Sequence, residues 1–125
     1  MDIKKGEIWL VNLPEIRGSI QHGVRPCVIW SNDNGCNKHS SVISIFPITS
    51  RTKTYLPTHV CIGTECGLKK ESTVLAEQPM SIDKSMLMNK IGNCDKKIMR
   101  NIYIGLLIQA GIYKSTNQKL TVAIA

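Results

Sequence analysis

Short apolar runs broken by Pro, Gly and Asn turns fill most of the chain, and only toward its carboxyl end does the apolar spacing lengthen to i, i+4. The run "EIWLVNLP" is β-rich and closed by Asn-Leu-Pro, which predicts a first strand over Glu7–Leu13. "RPCVIWSND" predicts a second over residues 26–31, with proline acceptable as the first strand residue and Ser-Asn-Asp-Asn-Gly supplying the turn. "SVISIFPIT" predicts a third, with Val42, Ser44 and Phe46 on one face and Ile43 and Ile45 on the other. Shorter strand candidates follow at "THVCI", "STVLAEQ" and "NKIGN".

The exception is "CDKKIMRNIYIGLLIQAG", where Ile98, Ile102 and Leu106, with Met99 and Tyr103, share one side of a helix. Asp95 is placed to cap its start and Gly111 to stop it. A second, short helix is expected near Asp83, where "SIDKSML" offers a capping residue followed by Met86 and Leu87. The expected fold class is mainly β with helices (α+β): a small barrel or strongly bent sheet with helices on one side. Repeats, linkers and low-complexity tracts are absent from the sequence, so a single domain over 1–125 is expected.

Composition adds a partner class. The chain has 125 residues, 42% hydrophobic and 20% charged, an ordinary balance for a folded domain with one core. No window approaches the roughly 20 apolar residues of a membrane span, and "MDIKKGEIWLVNLP" lacks the apolar core of a secretory signal, so a cytoplasmic location is expected. Five irregularly spaced cysteines (Cys27, Cys36, Cys61, Cys66 and Cys94) fit reduced thiols better than a disulfide framework. His59, Cys61 and Cys66 in "HVCIGTEC" lack a second pair at zinc-finger spacing, so they are read as framework rather than metal ligands. The net charge is +7, and its distribution is uneven. From Glu15 to Asp33 the charged residues are Arg17 and Arg25; from Asp33 to Glu65 they are Lys38, Arg51 and Lys53. Such a one-signed stretch attracts a polyanion, of which nucleic acid is the common cytosolic case.

P-loop, G-x-S-x-G, H-E-x-x-H and Rossmann patterns are all missing from the sequence. The nine acids are too sparse to suggest the carboxylate cluster of a two-metal nuclease. RNA allows a different route, because its own 2′-OH can attack the neighbouring phosphate if a protein takes the 2′ proton, stabilises the phosphorane and protonates the 5′ oxygen. Arg25 is the candidate cation, between the free backbone of Gly23 and the stiff Pro26. Thr49 and Ser50 are hydroxyls at the end of the third strand with Arg51 beside them, and Gln78 in "AEQP" is an amide able to read a base edge.

In order and spacing, "GEIWLVNL", "GSIQHGVRPCVI", "SNDNG", "ITSR", "LPTHV", "STVLAEQ" and "IDK" resemble the MazF (PemK, Kid) family of endoribonuclease toxins from type II toxin–antitoxin systems. The resemblance runs from about Gly6 to Gly111. It implies a CcdB-like small barrel related to SH3 barrels with a carboxyl-terminal helix, and a homodimer. It further implies sequence-selective cleavage of single-stranded RNA (mRNA) without metal or cofactor, leaving a cyclic or 3′ phosphate and a 5′ hydroxyl, and neutralisation by a cognate antitoxin, with which the toxin forms a DNA-binding complex. On this resemblance Arg25 and Thr49 are catalytic, and Arg17, Ser19, Gln21, His22, Ser50, Arg51, Lys53 and Gln78 bind substrate. Residues 14–24 match a family loop that lines the RNA groove.

Two departures stand out: His22 replaces a glycine common among relatives, and Met80 and Ser81 stand where the family has arginine and threonine. The rival readings are a CcdB-like gyrase-binding toxin and a nonenzymatic RNA-binding regulator. The first is opposed by the Arg25/Thr49 pair and by the ending "LTVAIA" in place of Trp-Gly-Ile. The second would keep its activity after Arg25→Ala.

Overall fold

A computed structural model describes residues 2–51, 55–116 and 119–122. Strands β1 (Glu7–Leu13), β2 (Gly23–Ile29), β3 (Val42–Thr49), β4 (His59–Ile62), β5 (Ser72–Leu75), β6 (Met80–Asp83) and β7 (Leu87–Asn93) form one antiparallel sheet. The order is β4-β5-β3-β2-β1-β7, with β6 on the same edge of β3 as β5. Helix α1 (Lys96–Gln109) follows, and a hairpin of β8 (Tyr113–Thr116) and β9 (Lys119–Val122) ends the described chain.

The sheet is strongly bent because it buries both faces at different places. Ile8 on β1, Val28 on β2 and Phe46 and Ile48 on β3 join one cluster, which α1 covers with Met99 and Ile102. The alternate positions Trp9, Val11, Leu13, Cys27, Ile29, Ile43 and Ile45 join a second cluster with Ile82 and Leu87, where the sheet curls over itself like a barrel. Phe46, Ile48 and Ile102 are almost wholly excluded from solvent, each contributing roughly 1.5–3 kcal/mol of apolar burial.

Helix α1 starts where Asp95 accepts the Ile98 N–H at 2.9 Å. Gly105 allows its close approach to the sheet: a Cβ there would lie 2.9 Å from the Thr58 carbonyl oxygen and from Ala76 Cβ. The short helix expected near Asp83 is a single 3-10 turn over Lys84–Met86, capped by the Asp83 carboxylate on the Ser85 N–H.

Three boundaries differ from expectation. β2 begins at Gly23 rather than Pro26 and stops at Ile29, before Ser31, because β1 pairs with it as far as Leu13–Gly23. Pro26 then sits one residue beyond the start of the β2–β3 ladder at Cys27, a position that tolerates a missing N–H. "STVLAEQ" is strand only to Leu75, where Gln78 N–H closes a turn on the Leu75 carbonyl. β6 and the β8–β9 hairpin have no counterpart in the expected strands; β6 has a single fully apolar anchor, Ile82, and exists by pairing with β3 from Val42–Asp83 to Ile45–Met80.

Candidate functional site

The ladder between β2 and β3 ends at Cys27–Pro47, and Arg25 and Thr49 each lie two residues past that end on their own strands. Thr49 pairs in turn with Thr73 on β5, and Thr73 with Cys61 on β4. Thr49, Thr73 and Cys61 therefore form a transverse row across β3, β5 and β4, and Arg25 stands on β2 past the same end of the β2–β3 ladder.

Arg25 and Thr49 are fixed by local bonds. Gly23 has φ +77°, a left-handed conformation that glycine adopts without strain, and it turns the chain from His22 into β2. Across that turn Arg25 Nε–H donates to the His22 carbonyl at 2.7 Å, leaving the two terminal nitrogens of the guanidinium for an anion. The Arg25 charge also opposes the burial that pushes the Cys27 thiol up to about 12. Thr49 is 1% exposed, and its Oγ1 accepts the Arg51 N–H at 3.2 Å, so the hydroxyl keeps its own proton for donation.

Thr49, Ser50 and Arg51 share a recess of about 160 Å³ with Cys61, Glu71, Ser72 and Thr73. Glu71 and Thr73 were not among the expected site residues, because only the β3–β5–β4 register brings them there. Ser50 also borders a second cavity of about 470 Å³ with Pro26, Lys69 and Lys70.

The 14–22 loop supplies the other expected residues. Arg17, Ser19 and His22 are exposed, whereas the Gln21 side chain is buried and its Oε1 has no hydrogen-bond partner. The His22 ring makes a long 3.4 Å contact from Nδ1 to the Ile20 carbonyl, so it is the backbone of His22, through Arg25, that enters the site. Gln78 is engaged by the loop: its Oε1 accepts the Gln21 N–H at 3.0 Å and its Nε2 donates to the Ser19 carbonyl at 3.2 Å. Lys53 lies outside the described residues. Met80 pairs with Ile45 on β6 and packs against the second cluster, so an apolar partner occupies the place of the family arginine.

His59 is a framework residue. Its Nδ1 accepts the Leu56 N–H at 3.3 Å, which leaves the ring proton on Nε2, donated to Glu77 at 3.0 Å. Cys66 is buried beside Cys94, and burial raises both thiols. Among the described residues no three His, Cys, Asp or Glu side chains gather as a metal-ligand set, and no helix is long and apolar enough to cross a membrane.

A small barrel-like sheet that carries an arginine and a buried threonine past the same end of one strand pair, in a chain of net charge +7, is a domain suited to holding a phosphate of a polyanion. The chain belongs to the PemK-like, MazF-like toxins of type II toxin–antitoxin systems, whose family model matches residues 4–109. It is 34% identical over 119 residues to an endoribonuclease MazF of Staphylococcus saprophyticus, covering 94% of this chain and 98% of that protein. Its fold matches MazF from Deinococcus radiodurans with a TM-score of 0.77 at 23% identity, over 89% of this chain and 98% of the other. It also matches an endoribonuclease in complex with its cognate antitoxin from a mycobacterial species, with a TM-score of 0.71 at 25% identity, over 86% and 94% of the two chains. A model of Fur-regulated basic protein A matches the short stretch 99–121.

Proposed function

We propose that this toxin is a cytoplasmic, metal-independent endoribonuclease that cuts single-stranded RNA at preferred sequences and so inhibits translation and growth. The observation that carries the reading is that Arg25 and Thr49 both stand two residues past the Cys27–Pro47 end of the β2–β3 ladder. The family and the 34% identical endoribonuclease relative support it.

In the reaction the 2′ oxygen bonds to the adjacent phosphorus as the bond to the 5′ oxygen breaks. The products are a 2′,3′-cyclic phosphate, open to hydrolysis to a 3′ phosphate, and a 5′ hydroxyl. The free nitrogens of Arg25 hold the phosphorane oxygens as their charge grows, and this preorganised cation is the main source of rate. The Thr49 hydroxyl donates to a phosphate oxygen; at neutral pH it is too weak a base to take the 2′ proton. Glu71, in the recess beside Thr49, is the carboxylate available for proton transfer, and Arg25 or water returns a proton to the 5′ oxygen. Arg17 and Arg51 contact flanking phosphates, and Ser19, Gln21, His22, Ser50 and Lys53 lie on the substrate side. A cognate antitoxin, of the kind the mycobacterial endoribonuclease binds, neutralises the toxin by covering this surface, and the toxin acts as a homodimer.

The test is cleavage of a long RNA by purified protein in EDTA, with the cut ends mapped. Wild type is expected to cut, Arg25→Ala to lose about a hundredfold or more in kcat, and Thr49→Ala about tenfold or more. An intact RNA with wild type, or undiminished cutting by both variants, defeats the assignment.

A further inference from the structure

The loop that carries half the site is almost untethered. Residues 14–20 are all exposed, and among the described residues the hydrogen bonds from 14–22 to the distant parts of the chain all run to one side chain, Gln78. That amide meets the loop backbone with both of its functions, accepting from Gln21 N–H and donating to the Ser19 carbonyl, which fixes which way the amide points. One residue after Gln21, the His22 carbonyl holds Arg25 Nε–H at 2.7 Å. The order of contacts is therefore Gln78, loop backbone, His22 carbonyl, Arg25.

Gln78 itself is presented from a rigid corner. Its backbone N–H is bonded to the Leu75 carbonyl at 3.0 Å, closing the turn that ends β5. Between its ends, which the Leu13–Gly23 pair joins to β1 and β2, the loop is hydrogen-bonded to the distant chain through one amide, in sequence 57 and 59 residues away from its two partners.

We infer that Gln78 is a positioning residue, whose amide aligns the Arg25 guanidinium through the Ser19–His22 backbone, and not a reader of the RNA base. The inference deepens the proposed function and rests on it for its kinetic consequence. The two bonds fix the plane and direction of the amide against the loop backbone, and a displaced His22 carbonyl frees the guanidinium to rotate. A misplacement of about 1 Å in such a group costs on the order of a hundredfold in rate.

The experiment uses the full-length protein with Gln78→Leu, and Gln78→Asn as a shorter polar replacement that cannot span both partners. Three readouts are taken: steady-state cleavage of a single-stranded RNA oligonucleotide, the map of cut sites on a long RNA, and NMR exchange of the Arg25 Nε–H. Both variants are expected to lose about ten- to a hundredfold in kcat with KM within about threefold and the same preferred sites. The Arg25 Nε–H is expected to exchange at least about tenfold faster while the melting temperature stays close to wild type. A changed base preference with kcat retained would overturn the inference in favour of direct reading, and unaltered Arg25 Nε–H exchange would overturn it outright. If wild-type protein cuts no RNA, the proposed function falls, and the exchange measurement alone then decides whether Gln78 holds Arg25.

Discussion

Two regions of the molecule meet at the dipeptide Glu77-Gln78, and they are built on opposite terms. On the α1 side, Glu77 accepts from Thr58 Oγ–H at 3.0 Å and from His59 Nε2–H at 3.0 Å, while His59 Nδ1 takes the Leu56 N–H. Every strong polar group of that corner has a partner, and Thr58 is 5% exposed. On the loop side, Gln78 holds a segment with few other ties, Gln21 Oε1 is buried without a partner, and the two terminal nitrogens of Arg25 make no hydrogen bond among the described residues. The difference is between a corner whose polar groups are satisfied, which gives stability, and a loop whose polar groups are not.

The strongest test of that separation is Glu77→Leu, which leaves the Thr58 hydroxyl and the His59 Nε2–H buried without their acceptor. The cost is about 1–3 kcal/mol for each abandoned donor. Urea unfolding should show a clearly lower midpoint, with RNA cleavage per folded molecule unchanged. If kcat falls as far as it does in Gln78→Leu, the two corners are one unit and the contrast between neighbouring residues fails.

A smaller effect of opposite sign is expected at Gln21. Its side chain is 7% exposed and its Oε1 is unpaired, so the fold bears the desolvation of an amide with no return. Gln21→Met keeps the volume and removes the polar atoms, and should raise stability by about 1 kcal/mol in a melting experiment. On the reading that puts Gln21 on the substrate side, cleavage should slow at the same time. Stabilisation without loss of activity would reassign Gln21 to the scaffold.

How much of this was readable beforehand follows the same division. β1 and α1 were legible because each is long and periodic and carries its own stop signals, Pro14 beyond one and Asp95 and Gly111 around the other. β6 was not, since "MSID" holds its place only through β3, and the start of β2 was missed because its pairing with β1 outlasts the apolar run. At the site, Arg25 and Thr49 were visible as motif residues. Their shared place past the end of the β2–β3 ladder was not, nor were Glu71 and Thr73, which enter through a register spanning three strands. Gln78 was noticed as an amide at a strand end, but its partners lie too far away in sequence for local spacing to show them.

The mildest test concerns pH and belongs to the scaffold. Burial pushes the Glu7 carboxyl up, but the Lys4 backbone N–H at 3.0 Å, Lys90 Nζ at 2.9 Å and Trp9 Nε1–H at 3.1 Å outweigh it and hold the group below its ordinary value of 4.5. A carboxyl lowered on folding adds stability that is present above its unfolded value and is lost as pH falls through the folded one. Stability should therefore decline below about pH 4.5, and Glu7→Gln should flatten part of that decline. The remainder is shared by Asp83, lowered by its bonds from Ser85, and Asp33, also lowered: burial raises it, and the Lys5 N–H and Asn37 bonds prevail. Urea midpoints from pH 6 down to pH 3 measure the slope, and the same variant assayed at pH 7 should cut RNA at the wild-type rate. An unchanged acid slope would mean that Glu7 keeps the same environment in the unfolded chain; a slowed cut at pH 7 would mean that the Glu7–Lys90 bond reaches Arg25 through β1, and the scaffold and the site would no longer be separable.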